Sequence, residues 1–198
     1  MTDKIFSKLN VYDQIGYLLV GSIASLVFLF NNKLLGSPID IPAFDISSLI
    51  IWAIVAYFVG HIVHAVANII IKENKTDFSE SDKEILERGK HFFDLKKQEL
   101  NATYLLCYML ASAKDVTGQV QSFNAYYSLY RGWFIIFLLE MNFLSFTSIM
   151  HGFSLHILIL FSIASFIAYL TLNRTRRFYG YSRAKTLQTF TLIEKLKL

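Results

Sequence analysis

Between Gly132 and Asn173 the chain runs 42 residues with one formal charge, Glu140. No other feature restricts its fold as much. A hydrocarbon layer about 30 Å thick is crossed by roughly 20 apolar residues rising 1.5 Å each, so this run predicts two transmembrane helices. Two further uncharged stretches, Gln14–Asn32 and Ile46–Ile71, each predict one more. The expected fold is therefore all-α: a four-helix transmembrane protein with spans at about 14–32, 48–71, 132–150 and 154–173. Between the second and third spans lies a helical segment, 72–131, and after the fourth a basic tail, 174–198.

Composition agrees: 54% of the residues are hydrophobic, with 18 Phe and 11 Tyr, more than a soluble domain of this size normally carries. The single cysteine, Cys107, excludes an intramolecular disulfide and a cysteine metal site, and its helical setting suggests a buried, inert thiol. The first apolar run ends in Asn31-Asn32-Lys33 without a small-residue cleavage site, so it reads as a retained signal anchor. Four spans in 198 residues leave little for a second domain, and one compact unit is expected.

Lysine and arginine number two before Tyr12, one between the first two spans, nine from Lys72 to Arg131 and seven from Arg174 onward. Basic flanks stay on the cytoplasmic side during insertion, which predicts a multi-pass membrane protein with both termini and the central segment inside. The outer connections would be Lys33–Asp45, with Pro38 and Pro42, and a tight turn near His151-Gly152.

The central segment balances nine basic against nine acidic residues, which is not the charge of a nucleic-acid arm. Ser81-x-x-Glu84 resembles a capping box, and Ile85, Phe92, Leu95, Leu100, Leu105 and Leu106 recur at helical spacing. One long helix from about Ser81 to Ala113 is expected, then a break at Gly118, then a helix from Gln119 that continues into the third span.

Tyr126, Tyr127, Tyr130 and Trp133 surround Arg131, where rings can sit at headgroup level and a guanidinium can meet phosphate. The tail sets seven basic residues against Glu194 and interleaves them with Phe178, Tyr179, Tyr181, Leu187, Phe190 and Ile193. Arg174, Arg176 and Arg177 read first as stop-transfer charge, with lipid binding or RNA contact at the inner surface as the alternatives. Direct nucleic-acid binding is not expected, because the same composition suits a membrane-surface helix.

Polar groups at membrane depth need partners. Glu140 lies nine residues beyond Arg131 and His64 eight before Lys72, so both sit roughly 12 to 13 Å in and could hydrogen-bond, with His61 one turn from His64 on the same face. This His61, His64 and Glu140 cluster is open to three uses: a polar clamp between helices, a proton-responsive site, or a carboxylate ring lining a pore made by several copies. The small residues Gly16, Gly21, Ser22, Ala24 and Ser25 let another helix approach the first span closely. No zinc helix, phosphate loop or nucleophile elbow is present, and neither a catalytic residue, a metal nor a cofactor is expected.

Tyr12-x3-Gly16-Tyr17, Tyr57-x2-Gly60-His61, Tyr127-x2-Tyr130-Arg131 and Arg177-x-Tyr179-x-Tyr181, set in this four-span layout, resemble small membrane proteins of bacterial defence loci. Among these are the membrane accessory proteins beside type VI-B CRISPR nucleases. The resemblance implies a nonenzymatic accessory or effector in antiphage defence that contacts a cytoplasmic protein partner and membrane lipids and forms a homo-oligomer, with a pore as one outcome. The other class is a proton-coupled transport subunit or membrane enzyme built on His61, His64 and Glu140.

Overall fold

The computed structural model describes residues 13–36, 45–71, 78–95 and 99–196. Tyr12, Lys72, Pro38 and Pro42 lie outside them. The described residues form helices joined by short turns, with no strand among them: a π-helical turn Asp13–Leu19 leading into α1 (Val20–Leu34), then α2 (Ile46–Ile70), α3 (Glu80–Phe92), α4 (Leu100–Lys114), α5 (Gln119–His151) and α6 (Leu155–Leu196). Four helices are long and apolar enough to cross a membrane, Gly16–Leu34, Ile46–Ile70, Gln119–His151 and Leu155–Leu196, which fits a multi-pass membrane protein.

Helix starts and stops follow local chemistry. Asp45 opens α2 with a capping box: its Oδ1 accepts from the Ser48 amide at 2.7 Å, and Ser48 Oγ accepts from the Asp45 amide at 3.1 Å. Those bonds hold the Asp45 carboxyl below the usual carboxylate range, the Ser48 amide first among them. At the far end of α5, Gly152 takes φ 86°, and Ser154 Oγ accepts from the Ile157 amide at 3.3 Å to start α6. The expected tight connection at His151-Gly152 is this turn. Gly118, at φ 66°, makes the expected break before α5.

Between Ser81 and Ala113, however, two helices stand where one was expected. Asp94 adopts φ 53° after α3, and the Asp94 and Leu95 amides donate back to His91 O (3.2 Å) and Lys90 O (2.9 Å). This is a Schellman stop with aspartate in the left-handed position that glycine usually fills. The capping box also lies two residues earlier than Ser81 and Glu84: Ser79 Oγ accepts from the Asp82 amide, and Asp82 Oδ2 accepts from the Ser79 amide, both at 3.2 Å.

Rather than one compact unit, the chain packs as two: residues 1–71 with 125–177, and residues 72–124 with 178–198. The first is held by close helix contacts. A Cβ on Gly21 would collide with the Ala56 carbonyl, and one on Gly60 with the Tyr17 carbonyl, so α1 and α2 touch backbone to backbone. Of the small residues of the first span, Gly21 thus serves packing within the chain. Gly132 admits the Val20 side chain from α1, since a Cβ there would lie 2.7 Å from Val20 Cγ1. Val20, Val63, Ala67, Leu129, Ile135 and Ile136 form the resulting core, with Trp133 and Phe134 against it. Ala164, Ala168, Thr171 and Thr175 bury a small-residue stripe of α6.

The second unit has a core of its own: Phe78, Leu86, Cys107, Leu187 and Phe190. Each large apolar side chain so buried contributes at most about 1.5–3 kcal/mol. Leu187, Phe190 and Ile193, read from sequence as apolar residues interleaved in a basic tail, are buried here. Of the apolar face expected on the central segment, Phe92 and Leu105 are instead exposed, because the break after Phe93 gives α3 and α4 separate rotations. Arg183 closes the unit, its Nη2 2.6 Å from Asp82 Oδ2 and its guanidinium 4.2 Å from the Phe78 ring centroid.

Candidate functional site

Two polar groups of side chains occupy the first unit, and they are not the pair expected. His64, buried on α2, places Nε2 2.7 Å from the carbonyl of Gly16 in the π-helical turn. A carbonyl only accepts, so Nε2 carries the proton. Ser128 Oγ of α5 lies 3.4 Å from each ring nitrogen. Tyr17 packs edge-on to His64, with centroids 5.1 Å apart, and stacks on His61 at 3.8 Å and 16°, while Tyr57 meets His61 edge-on at 4.6 Å. His61 is thus an exposed member of an aromatic stack, and His64 a buried link from α2 to the start of the first span.

Glu140 lies elsewhere. Its Oε2 accepts from Asn31 Nδ2 of α1 at 2.6 Å, and the residue is 7% exposed. The expected Glu140–His64 hydrogen bond is therefore corrected: His64 is level with Ser128, twelve residues before Glu140 on α5, roughly 18 Å along the axis. Spacing from Lys72 and Arg131 along the sequence does not carry the offset between the two helices, which their packing sets, and Arg131 is itself buried within the unit. Glu140 faces α1, so the carboxylate ring at a pore axis has no support in this packing either. Asn31 Oδ1 is buried without a partner among the described residues, leaving the amide's bond to Glu140 as its one side-chain anchor.

The aromatic group around Arg131 divides. Tyr126 is exposed, and Tyr130 meets Trp133 edge-on at 5.8 Å. Tyr127 and Arg131 are buried, with Arg131 Nη1 donating to Tyr127 Oη at 3.2 Å and the guanidinium 5.1 Å from the Tyr127 ring. For these two, headgroup contact is corrected to an internal pair one helical turn apart, since i and i+4 side chains meet. Arg174, Arg176 and Arg177 are exposed on α6, as lipid contact requires.

In the second unit, burial pushes the Cys107 thiol up to about 12, with the Glu194 charge adding to it. Such a thiol is not a nucleophile at neutral pH. Tyr104 is likewise pushed up to about 12 by burial. Among the described residues no three His, Cys, Asp or Glu side chains gather closely enough to hold a metal ion.

Sequence reasoning missed Asn31, Gly16 O and Ser128 as partners. Asn31 carries a signal, being a polar residue at the end of an apolar run, where it marks the end of a span as readily as a partner for Glu140. A backbone carbonyl carries none. Compared with protein-family models, curated proteins and solved structures, the chain matches none.

Proposed function

We propose that the chain is a nonenzymatic accessory protein of the bacterial inner membrane, serving an antiphage defence system, whose second unit lies in the cytoplasm and docks a protein partner. The observation that carries this is the second unit itself. It is a helical body with its own core, joined to apolar helices that can anchor it, and it displays exposed apolar side chains, Leu105 and Met109, one turn apart on α4. The defence setting is what the resemblance implies. The positive-inside asymmetry supports the orientation.

A protein partner fits better than nucleic acid. Four of the basic side chains on this unit are ion-paired: Arg183 with Asp82, Arg88 with Glu194 at 3.6 Å, Lys83 with Glu80 and Lys90 with Glu87 at 2.7 Å. Segment 72–131 sets nine acidic against nine basic residues, so it carries no net positive charge toward phosphates. A proton-coupled or enzymatic role would need His61, His64 and Glu140 on one path, and the separation of roughly 18 Å along α5 weighs against it.

The test is phage challenge of cells carrying the locus with the chain intact, deleted, or changed at Leu105→Lys with Met109→Lys. Deletion and the double change should both alter plaque counts, with the changed protein still in the membrane. Equal counts in all three strains overturn the proposal.

A further inference from the structure

The third span carries a polar group where lipid should be. Leu139, Asn142, Phe146 and Ile149 follow on α5 at intervals of three, four and three residues, which puts them on one face. All four are exposed, the apolar ones at 51%, 62% and 81%. Lipid contact alone accounts for leucine, phenylalanine and isoleucine. It does not account for Asn142, which sits mid-way along the apolar run from Gly132 to Met150.

Asn142 Nδ2 donates one hydrogen to the Leu138 carbonyl at 2.7 Å. The second amide hydrogen and Oδ1 meet no partner among the described residues. Ser145, exposed beside it, is already bonded to Met141 O at 2.8 Å and does not compete. A carboxamide half satisfied in hydrocarbon is costly, since no water replaces the missing partner. Its two ends are a donor and an acceptor, so one carboxamide can satisfy another.

We propose that this stripe is the seam for a second copy of the same chain, with Asn142 hydrogen-bonded to its counterpart across a twofold axis. Copies inserted in the same direction are parallel, so an axis along the membrane normal brings each seam residue against its own equivalent. The alternation of three and four residues is the spacing of a helix–helix seam, and one polar residue within it sets register and copy number. Leu139, Phe146 and Ile149 pack on either side of the amide pair. This dimer does not depend on the docking role of the second unit; it depends only on the third span lying in hydrocarbon.

The full chain, purified, labelled with donor or acceptor dye and reconstituted in phosphatidylcholine and phosphatidylglycerol vesicles over a series of protein-to-lipid ratios, tests it. Energy transfer should report a dimer. Asn142→Leu should weaken that dimer roughly threefold to thirtyfold, the range for interhelical hydrogen bonds, while Asn142→Gln keeps it. Under oxidation Asn142→Cys should trap a disulfide dimer, and Phe166→Cys, exposed on α6, should not. A monomer at every ratio overturns the proposal, as does a dimer indifferent to Asn142→Leu, equal trapping through Phe166→Cys, or assembly into larger rings.

Discussion

Asn31 donates to Glu140 across the first and third apolar helices, Nδ2 to Oε2 at 2.6 Å, and this bond belongs to neither histidine. Removing the amide leaves a buried carboxyl group unpaired, so Asn31→Leu should cost about 1–3 kcal/mol. Adding Glu140→Leu to it should cost less than the two single changes together, because the residues act as a pair. Glu140→Gln and His64→Ala, far apart on different partners, should instead add. Unfolding of the four single variants and the two doubles in detergent measures this; additivity of the first pair would count against the contact.

The backbone contact of α1 with α2 predicts sharp steric intolerance. Gly21→Val and Gly60→Val must each push the helices apart, at about 1–3 kcal/mol or more. Gly180, inside α6 with open space around it, is the control: Gly180→Ala should stabilise by about 0.5–1 kcal/mol through helix propensity. Melting temperatures of the three variants decide it. A melt unchanged by either valine would show that the contact is looser than described.

Arg183 bridges α6 to α3 with little exposure, at 14% for its own side chain and 22% for that of Asp82. Asp82 also caps α3, so Asp82→Ala loses both the ion pair and the cap and should cost more than Arg183→Gln. Hydrogen exchange over Glu80–Phe92 is the measurement, with faster exchange in both variants and the larger change in Asp82→Ala. Equal protection in all three proteins would remove the pair from the account of stability.

Cys107 and Tyr104 make the second unit sensitive to alkali. Burial raises both folded pKa values to about 12, from ordinary values of 9.0 and 10.0. Below pH 9 both groups are protonated folded or unfolded, and stability is unaffected. Above it the unfolded chain loses the protons first, so stability should fall as pH rises from about 9 toward 12. Iodoacetamide should also label Cys107 slowly at pH 8 and quickly once the fold is opened in denaturant. Rapid labelling of the folded chain would contradict the buried thiol.

A cysteine at exposed Glu87 probes the proposed orientation. In intact cells an impermeant maleimide added outside should leave Glu87→Cys unlabelled, and lysis should expose it. Labelling before lysis reverses the topology.

Hydropathy is a local property, so the number of apolar helices was legible from Gly132–Asn173 and its two predecessors without any contact being known. Gly118 and Gly152 were legible for the same reason, since a turn at positive φ selects glycine at one position. Asp94 takes the same backbone region without the glycine that advertises it, and so two helices looked like one. Which groups meet is a different quantity, set by the rotation and offset of whole helices. Those depend on how closely Gly21 and Gly60 let α1 and α2 approach, and on Val20 filling the space above Gly132. Counting depth from the nearest charge could not supply that offset, which the packing of the helices sets, and Arg131 is itself buried within the unit. Tertiary structure therefore decided that Glu140 pairs with Asn31 and His64 with a backbone carbonyl, and it made the basic tail part of a folded core through Leu187 and Phe190.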